Sequence, residues 1–410
     1  MGVTASSPTA VRTHLGNMEV LLLTACIWFL AKFLRYVFPP LFEPLQGAYG
    51  VSNAVLGTAF TGFMLLYAAM QFPSGILADK FGSVAVITLG VLITAVAALT
   101  LVFELPFFAV AGAMLLMGLG TGAHKTVAVR LLSRAYPSHL GRTLGILDTV
   151  GTFSGVAAPV AVVLFVGVSG WLIAGWRLVF FTAGICGLLL AVAFALRVPN
   201  HLSEDDNTET SEAGDDGSFR QYLVLFREWK FSVFVLMTVL IAFTYNAVVA
   251  FLPLYLTSEA GTTTATANLL YGALFAASFV QVVTGEASDR IGAGLILVVT
   301  TGIATAALAA LVVFSATGNV WLLGASVICI GVGVHGYRPV RDAYLMSVVP
   351  ISIAGGSLGV VRTLLMGAGA ISPAVVGVLS ETAGFRPAFW LLVISIVGAT
   401  TCAIVLWMAE

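Results

Sequence analysis

The chain has 410 residues, of which 59% are hydrophobic and 9% are charged, and its net charge is −1 at pH 7. Soluble domains carry roughly 25% charged residues, so this composition excludes a soluble globular protein and predicts an all-α membrane protein. We predict the lipid bilayer, and no nucleic acid, as the partner of the fold.

Long apolar stretches recur along the whole chain. Crossing a ~30 Å hydrocarbon core as a helix takes about 20 apolar residues. Prolines such as Pro39, Pro40 and Pro106 mark where the stretches end. The pattern predicts twelve transmembrane helices, at 18–38, 52–78, 84–103, 107–133, 142–169, 174–197, 230–257, 265–287, 293–315, 319–347, 354–380 and 384–408.

The segments outside these helices define the domain organisation. No small-residue cleavage site follows the first stretch, so we expect it to remain as a span behind an N-terminal tail over 1–17. Residues 199–229 are expected to form a disordered acidic linker with a short amphipathic helix at its end. The linker separates two predicted six-helix bundles, at 18–198 and 230–410.

The basic residues at the ends of the spans and between them are distributed unequally. Arg177 and Arg386 fall on one side of the predicted membrane. The side that holds both termini has nine basic residues: Arg12, Lys80, Arg134, Arg142, Arg197, Arg220, Arg227, Lys230 and Arg290. By the positive-inside rule, this distribution predicts cytoplasmic termini for a multi-pass protein of the cell membrane.

Three groups of residues occur twice, in the same order and about 210 residues apart. The pairs are Gly75–Gly82 with Gly285–Gly292, Gly120-x-Gly122-x-His124-x5-Arg130 with Gly331-x-Gly333-x-His335-x5-Arg341, and Leu144-Gly145-x-x-Asp148-Thr149 with Leu358-Gly359-x-x-Arg362-Thr363. An apolar chain built from two homologous halves is typical of secondary transporters, whose substrate site lies between the halves.

The loop Gly75-Ile76-Leu77-Ala78-Asp79-Lys80-Phe81-Gly82 resembles the signature loop of the major facilitator superfamily. The resemblance extends to the position of the loop, its second copy and the layout of six plus six spans. The family usually has basic residues where this chain has Ser83 and Val84. The resemblance implies transport by alternating access, in which the two loops gate the cytoplasmic side.

We expect each part of the loop to have a physical role in gating. A glycine at 75 allows close helix contact, and a glycine at 82 allows a tight turn. The resemblance implies that the carboxylate of Asp79 accepts from free amides at the start of the eleventh span, and by symmetry Asp289 at the fifth. The gating residues predicted from both loops are Gly75, Asp79, Lys80, Gly82, Asp289 and Arg290.

Cationic side chains outnumber anionic ones within the predicted spans. The cations are Lys32, Arg35, Lys125, Arg130, Arg338, Arg341 and Arg362, and they are opposed by Asp148 and Asp342. Each charge costs about 2.5–3.5 kcal/mol at a helix centre, so we expect these groups to face partners, water or substrate. The excess of positive charge favours an anionic substrate.

Helical geometry separates the members of this set. Lys32 and Arg35 share one face of a helix, and His335, Arg338 and Asp342 form a polar stripe. In the family, the first, fourth, seventh and tenth helices line the cavity. The resemblance therefore implies a substrate-binding set of Lys32, Arg35, His124, Lys125, His335 and Arg338. Arg130 and Arg341, nearer the cytoplasmic ends, are expected to act in gating.

The remaining charged residues, Asp148, Asp342 and Arg362, are predicted to form buried ion pairs or to exchange protons. We expect Asp148 to pair with Arg130 or Lys125, and Arg362 to pair with Asp342. Asp148 is the leading residue for proton exchange. Internal pairing of all seven cations remains an alternative to substrate binding.

These observations predict a monomeric transporter, not an enzyme, that moves a small organic or inorganic anion with protons or in exchange. Two alternatives remain open: proton-driven export of a lipophilic drug-like compound or metabolite, and a non-transporting sensor or membrane enzyme. We predict no cofactor and no metal, because neither the four cysteines nor His124 and His335 have the spacing of metal ligands.

Overall fold

The structure is a computed structural model that describes residues 8–137, 139–167, 175–198, 226–348 and 354–409, with the backbone alone at 8–17, 346–348 and 354–360. The predicted linker at 199–229 lies outside the described residues up to position 225, and the predicted tail lies outside them up to position 7. Every regular element in the described ranges is a helix, which confirms the all-α prediction.

The helices follow the apolar stretches in order. They are α1 Pro8–Tyr36, α2 Phe38–Tyr49, α3 Asn53–Phe81, α4 Ser83–Thr100, α5 Phe107–Ala135, α6 Leu140–Val166, α7 Gly175–Arg197, α8 Trp229–Ser258, α9 Thr264–Ala276, α10 Val280–Ile291, α11 Ala293–Phe314, α12 Val320–Val348, α13 Ala354–Thr382 and α14 Phe385–Met408. A 3₁₀ turn, Ala277–Phe279, joins α9 to α10 within one span.

Eleven helices of the described chain are long and apolar enough to cross a membrane, and a twelfth span is present if the bent pair α1–α2 is counted as one. The spans coincide with the predicted stretches, because about 20 apolar residues must satisfy every backbone group internally in lipid. The protein is therefore a multi-pass membrane protein.

Helix α2 is an element that the sequence prediction missed. We expected Pro39 and Pro40 to stop the first span, but they lie in the first turn of a new helix that begins at Phe38 and is bent by 42° from α1. Proline is tolerated there because the first amides of a helix have no intrahelical acceptor. The helix ends at Tyr49, and Gly50, with a positive φ of 63°, caps it.

The structure divides into two compact units. Unit 1 contains Met1–Arg35, Ala69–Ser154 and Phe165–Ser211, and unit 2 contains Tyr36–Ala68, Gly155–Leu164 and Glu212–Glu410. Unit 2 thus combines α2, the first part of α3 and a short piece of α6 with the C-terminal helices. The predicted boundary between bundles at 199–229 remains a prediction.

Each unit has its own packing. In unit 1, α4 packs against α5 and α7, and the carbonyl oxygen of Gly90 lies where a side chain on Gly120 would begin, so the two helix backbones touch. In unit 2, α8 packs against α13 and α14, and α11 against α12.

Candidate functional site

A polar cluster lies in unit 1 where α1, α5 and α6 meet. Lys125 Nζ on α5 donates to Asp148 Oδ1 on α6 in a salt bridge. The lysine side chain is 25% exposed and the aspartate side chain 57%, so the carboxylate is the accessible end of the pair. Of the two partners expected for Asp148, the structure selects Lys125.

Trp28 occupies the centre of this cluster. Its side chain is buried, and its ring centroid lies 5.2 Å from Lys32 Nζ and 5.1 Å from Lys125 Nζ. The imidazole of His124 stacks on the indole, with centroids 5.8 Å apart and ring planes 22° apart. Three predicted binding residues therefore contact one aromatic ring. Sequence reasoning missed Trp28, although its position one helical turn before Lys32 was a usable signal.

Arg35 completes the charged face of α1. It follows Lys32 by three residues on the same helix, and both side chains are half-buried. The cluster of unit 1, which we call the α1–α5–α6 cluster, consists of Trp28, Lys32, Arg35, His124, Lys125 and Asp148.

The first signature loop is tied to α5. Arg130 Nη1 donates to Asp79 Oδ1 in a salt bridge, with side chains 28% and 64% exposed. Earlier on α3, Gln71 Nε2 donates to the carbonyl of Gly122 at 3.1 Å, and Thr126 Oγ1 donates to Gln71 Oε1 at 3.0 Å. In this conformation α3 and α5 are thus joined by three polar contacts at the predicted gate.

The glycines of the loops have different roles. Gly82 has a φ of 84° and its repeat Gly292 a φ of 94°, a backbone conformation that supplies the tight turn between helices. A Cβ on Gly75 would meet nothing within 4 Å of the described atoms. The close helix contact expected at Gly75 remains a prediction.

The second loop uses other partners than the first. Arg290 donates to Glu286 one turn earlier at 2.5 Å, and Asp289 is exposed. Lys80, in the first loop, lies with its Nζ 5.4 Å from the ring centroid of Phe81. The contacts predicted for Asp79 and Asp289 at the starts of the eleventh and fifth spans remain predictions.

A second cluster, in unit 2, joins α8, α9 and α12. The guanidinium carbon of Arg338 lies 4.8 Å from the ring centroid of Tyr245, and that ring contacts His335 edge-on at 5.8 Å. Phe275 contacts the same histidine at 6.1 Å and Tyr36 at 4.4 Å. The cluster places the predicted residues Arg338 and His335 in an aromatic setting, where a guanidinium can stack.

The other charged residues of unit 2 pair differently from our expectation. Arg341 Nε donates to the neighbouring Asp342 Oδ1 at 2.9 Å, and the same guanidinium lies over the ring of Tyr337. Arg362, which we expected to reach Asp342, is exposed on α13. Asp342 forms its salt bridge with Arg341 because the two residues are adjacent and the long arginine side chain can fold back onto the carboxylate.

A third group of contacts, near the chain turns predicted to face outward, also escaped the sequence analysis. All of them lie within unit 2 and connect N-terminal segments to C-terminal helices. The Ala54 amide donates to Glu381 Oε2 at 3.1 Å, the Ala374 amide donates to Thr61 Oγ1 at 3.0 Å, and Thr264 Oγ1 donates to Glu43 Oε2 at 2.9 Å. The carboxylates of Glu43 and Glu381, which lie close to the ends of predicted spans, could have indicated two of these contacts from the sequence.

Metal binding finds no support within the described ranges. No group of three or more His, Cys, Asp or Glu side chains in them is arranged to hold an ion. His124 and His335 are both buried among aromatic rings.

Comparisons with known proteins agree with this architecture. A family model described as Major Facilitator Superfamily matches residues 24–373. A bacterial homolog of the human lysosomal transporter Spinster, solved in an inward-facing and unoccupied conformation, superposes with a TM-score of 0.79 over 98% of each chain at 18% identity. That likeness shows the fold.

Sequence relatives carry different solutes. A putative proline/betaine transporter of Staphylococcus haemolyticus is 26% identical and covers 97% of this chain and 86% of its own length. A probable galactarate/D-glucarate transporter of Bacillus subtilis is 30% identical over 37% of this chain and 33% of its own. A probable sulfoacetate transporter of Cupriavidus necator is 26% identical over 54% of this chain and 51% of its own.

Proposed function

Because the chain belongs to the Major Facilitator Superfamily, we propose that it moves a small organic or inorganic anion across the cell membrane, coupled to protons or in exchange for another anion. It works by alternating access, as a monomer, with both termini in the cytoplasm. The family relatives are transporters rather than enzymes, and the proposal concerns the solute and its coupling.

The α1–α5–α6 cluster is the single observation that carries the proposal. It brings Lys32 and Lys125 to one aromatic ring and pairs Lys125 with one carboxylate, Asp148. Arg35 follows Lys32 by three residues on the same helix. Charges in an apolar environment need compensation, and a mobile anion supplies it only while it is bound. A group of this kind attracts anions and repels cations.

Arg338 is the proposed contribution of the C-terminal helices to the substrate. Its planar guanidinium stacks on Tyr245, so the side chain is held in one orientation and loses little freedom on binding. Arginine is suited to a bidentate grip on a carboxylate or phosphate. His335 contacts the same tyrosine ring edge-on.

The Lys125–Asp148 pair is the proposed link between protons and anion. A carboxylate and a substrate anion compete for the same ammonium group. Protonation of Asp148 removes its negative charge and leaves Lys125 to the substrate, so a proton and an anion bind together. Loss of that proton restores the pair and expels the anion.

The signature loops are the proposed gate. Asp79 is held by Arg130 in the conformation described here. In the opposite conformation its carboxylate accepts from the first amides of the eleventh span, where a helix N-terminus favours negative charge. Arg341 and Asp289 are their counterparts in the second half.

Uptake by proteoliposomes that contain the purified protein tests the proposal. With an imposed pH gradient, galactarate, succinate, sulfoacetate and inorganic phosphate are compared with betaine and a lipophilic cation. We expect saturable anion uptake, and Arg35→Gln should raise KM at least about 10-fold, since a hydrogen bond to a charged group contributes about 1.5–3 kcal/mol.

Arg197→Gln is the matched control, because this arginine forms an exposed salt bridge with Glu19 away from the cluster. It should leave KM unchanged. Uptake of betaine or of the lipophilic cation, insensitive to Arg35→Gln, would overturn the anion proposal and favour a zwitterion carrier or an exporter.

A further inference from the structure

We propose that Trp28 is a positioning residue for the substrate: its indole ring holds the ammonium groups of Lys32 and Lys125 around one centre, so that the site selects a small anion with two negative groups. The inference rests on the proposed function and adds the charge class of the substrate to it.

The geometry places two like charges around one ring. Lys32 reaches Trp28 from one turn further along α1, and Lys125 reaches it from α5. Both ammonium nitrogens lie within 5.2 Å of the indole centroid. Tryptophan has the most electron-rich face among the aromatic side chains and attracts cations best. The ring thus offsets the repulsion between two groups that would otherwise separate.

The ring itself is fixed by its neighbours. Trp28 is 3% exposed, and the imidazole of His124 is stacked on it. On α6, Gly151 leaves the space that the edge of the indole fills, since a Cβ on that glycine would clash with Nε1 and Cδ1 of the ring. The indole is thus in contact with His124 on one side and with the backbone at Gly151 on another. The positions of the ammonium groups follow from it.

Two fixed ammonium groups discriminate by charge number. A ligand with one negative group can bind only one of the two lysines at a time. A ligand with two negative groups binds both lysines and offsets their mutual repulsion. The carboxylate of Asp148 already binds Lys125, so an entering anion must bind the site more strongly than this carboxylate does. A second negative group that binds Lys32 supplies this additional binding energy.

Matched pairs of substrates measure this selectivity directly. Galactarate and galactonate differ by one carboxylate at the same carbon number, and succinate and succinamate differ by one charge at the same shape. We expect the protein in proteoliposomes to take up the dianion of each pair with a KM on the order of 10-fold lower than the monoanion, the ratio that corresponds to one further charge-assisted contact.

Three variants test the role of the ring. Trp28→Leu removes the aromatic face and should abolish the dianion preference, raising KM for the dianion while kcat changes little. Trp28→Phe keeps a weaker face and should retain part of the preference. Gly151→Ala leaves the tryptophan and both lysines in the chain but displaces the ring, and should resemble Trp28→Leu.

Trp176→Phe is the control, because Trp176 is also buried and also lies against a cation, Arg177, whose carbon is 5.1 Å from its ring. It should leave both KM values unchanged. If Trp28→Leu fails to fold, Trp28→Phe and Gly151→Ala decide. An unchanged dianion-to-monoanion ratio in these variants, or a wild-type preference for monoanions, would overturn the inference while anion transport stands. Absence of any anion uptake by the wild type would overturn the proposed function instead.

Discussion

Asp148→Asn is expected to separate anion binding from proton coupling. The amide has the shape of the carboxylate but no charge, so Lys125 is available to the substrate without a proton. An exposed ion pair contributes roughly 0.2–1 kcal/mol, so KM for the anion at neutral pH should fall by a factor between about 1.4 and 5. Accumulation driven by an imposed pH gradient should disappear.

The complementary variant removes the cation of the pair. In Lys125→Met, a carboxylate is left without its ammonium partner and the substrate loses one charge-assisted contact. Such contacts contribute about 1.5–3 kcal/mol, so uptake should fall at least about 10-fold. Counterflow of labelled anion without a pH gradient distinguishes the two variants: Asp148→Asn retains it, and Lys125→Met does not.

Glu104→Gln provides the control for the loss of a carboxylate in a salt bridge. Glu104 accepts from Arg177 at 3.3 Å in the same unit, in a pair with no proposed part in transport. This variant should keep both counterflow and proton-driven accumulation. If Asp148→Asn accumulates anion as the wild type does, another group carries the coupling proton and the pair serves structure alone.

The spans and their order could be predicted from the sequence because one physical requirement decides them. A stretch of about 20 apolar residues in lipid must be helical, whatever lies beside it. The helix α2 could not be predicted in this way. The local sequence at Pro39 and Pro40 is compatible both with the end of one helix and with the start of another. A new helix forms here because it buries Phe38, Leu41 and Phe42 in unit 2.

The charged residues show where sequence reasoning ends. It identified Lys32, Lys125 and Asp148 from their cost in a membrane, but it could not decide between Arg130 and Lys125 as the partner of Asp148. That decision depends on the direction of each side chain from its helix, which a difference of five positions on α5 reverses. Arg130 points to Asp79 instead. Trp28 was missed because an aromatic residue in an apolar helix costs no free energy in the membrane and so does not stand out from its neighbours.

The contact between α3 and α13 in unit 2 is the second feature with a large expected effect. Gly57 lies directly against the carbonyl oxygen of Pro373, and a Cβ on it would also come within 3.2 Å of Phe251 Cζ. Two hydrogen bonds flank this contact, from the Ala54 amide to Glu381 and from the Ala374 amide to Thr61. Alternating access requires such an interface, at the side predicted to face outward, to form and to open in every cycle.

Gly57→Leu is therefore expected to slow transport without preventing folding. Overpacking costs about 1–3 kcal/mol, which shifts a two-state equilibrium by about 5- to 150-fold away from the conformation with this contact. The rate of anion uptake should fall by at least about fivefold. The Kd of the purified variant for the anion should change less than the rate, because the substitution alters no residue of the α1–α5–α6 cluster.

Gly47→Leu is the control, since Gly47 lies on the neighbouring helix α2 with nothing within 4 Å of a Cβ among the described atoms. It should leave the uptake rate unchanged. Reduced uptake in Gly57→Leu with an unaltered melting temperature assigns the loss to the conformational cycle, because a folding defect would lower both. Full uptake in Gly57→Leu would mean that α3 and α13 need not meet during transport, and the gating role of the outer contacts would have to be abandoned.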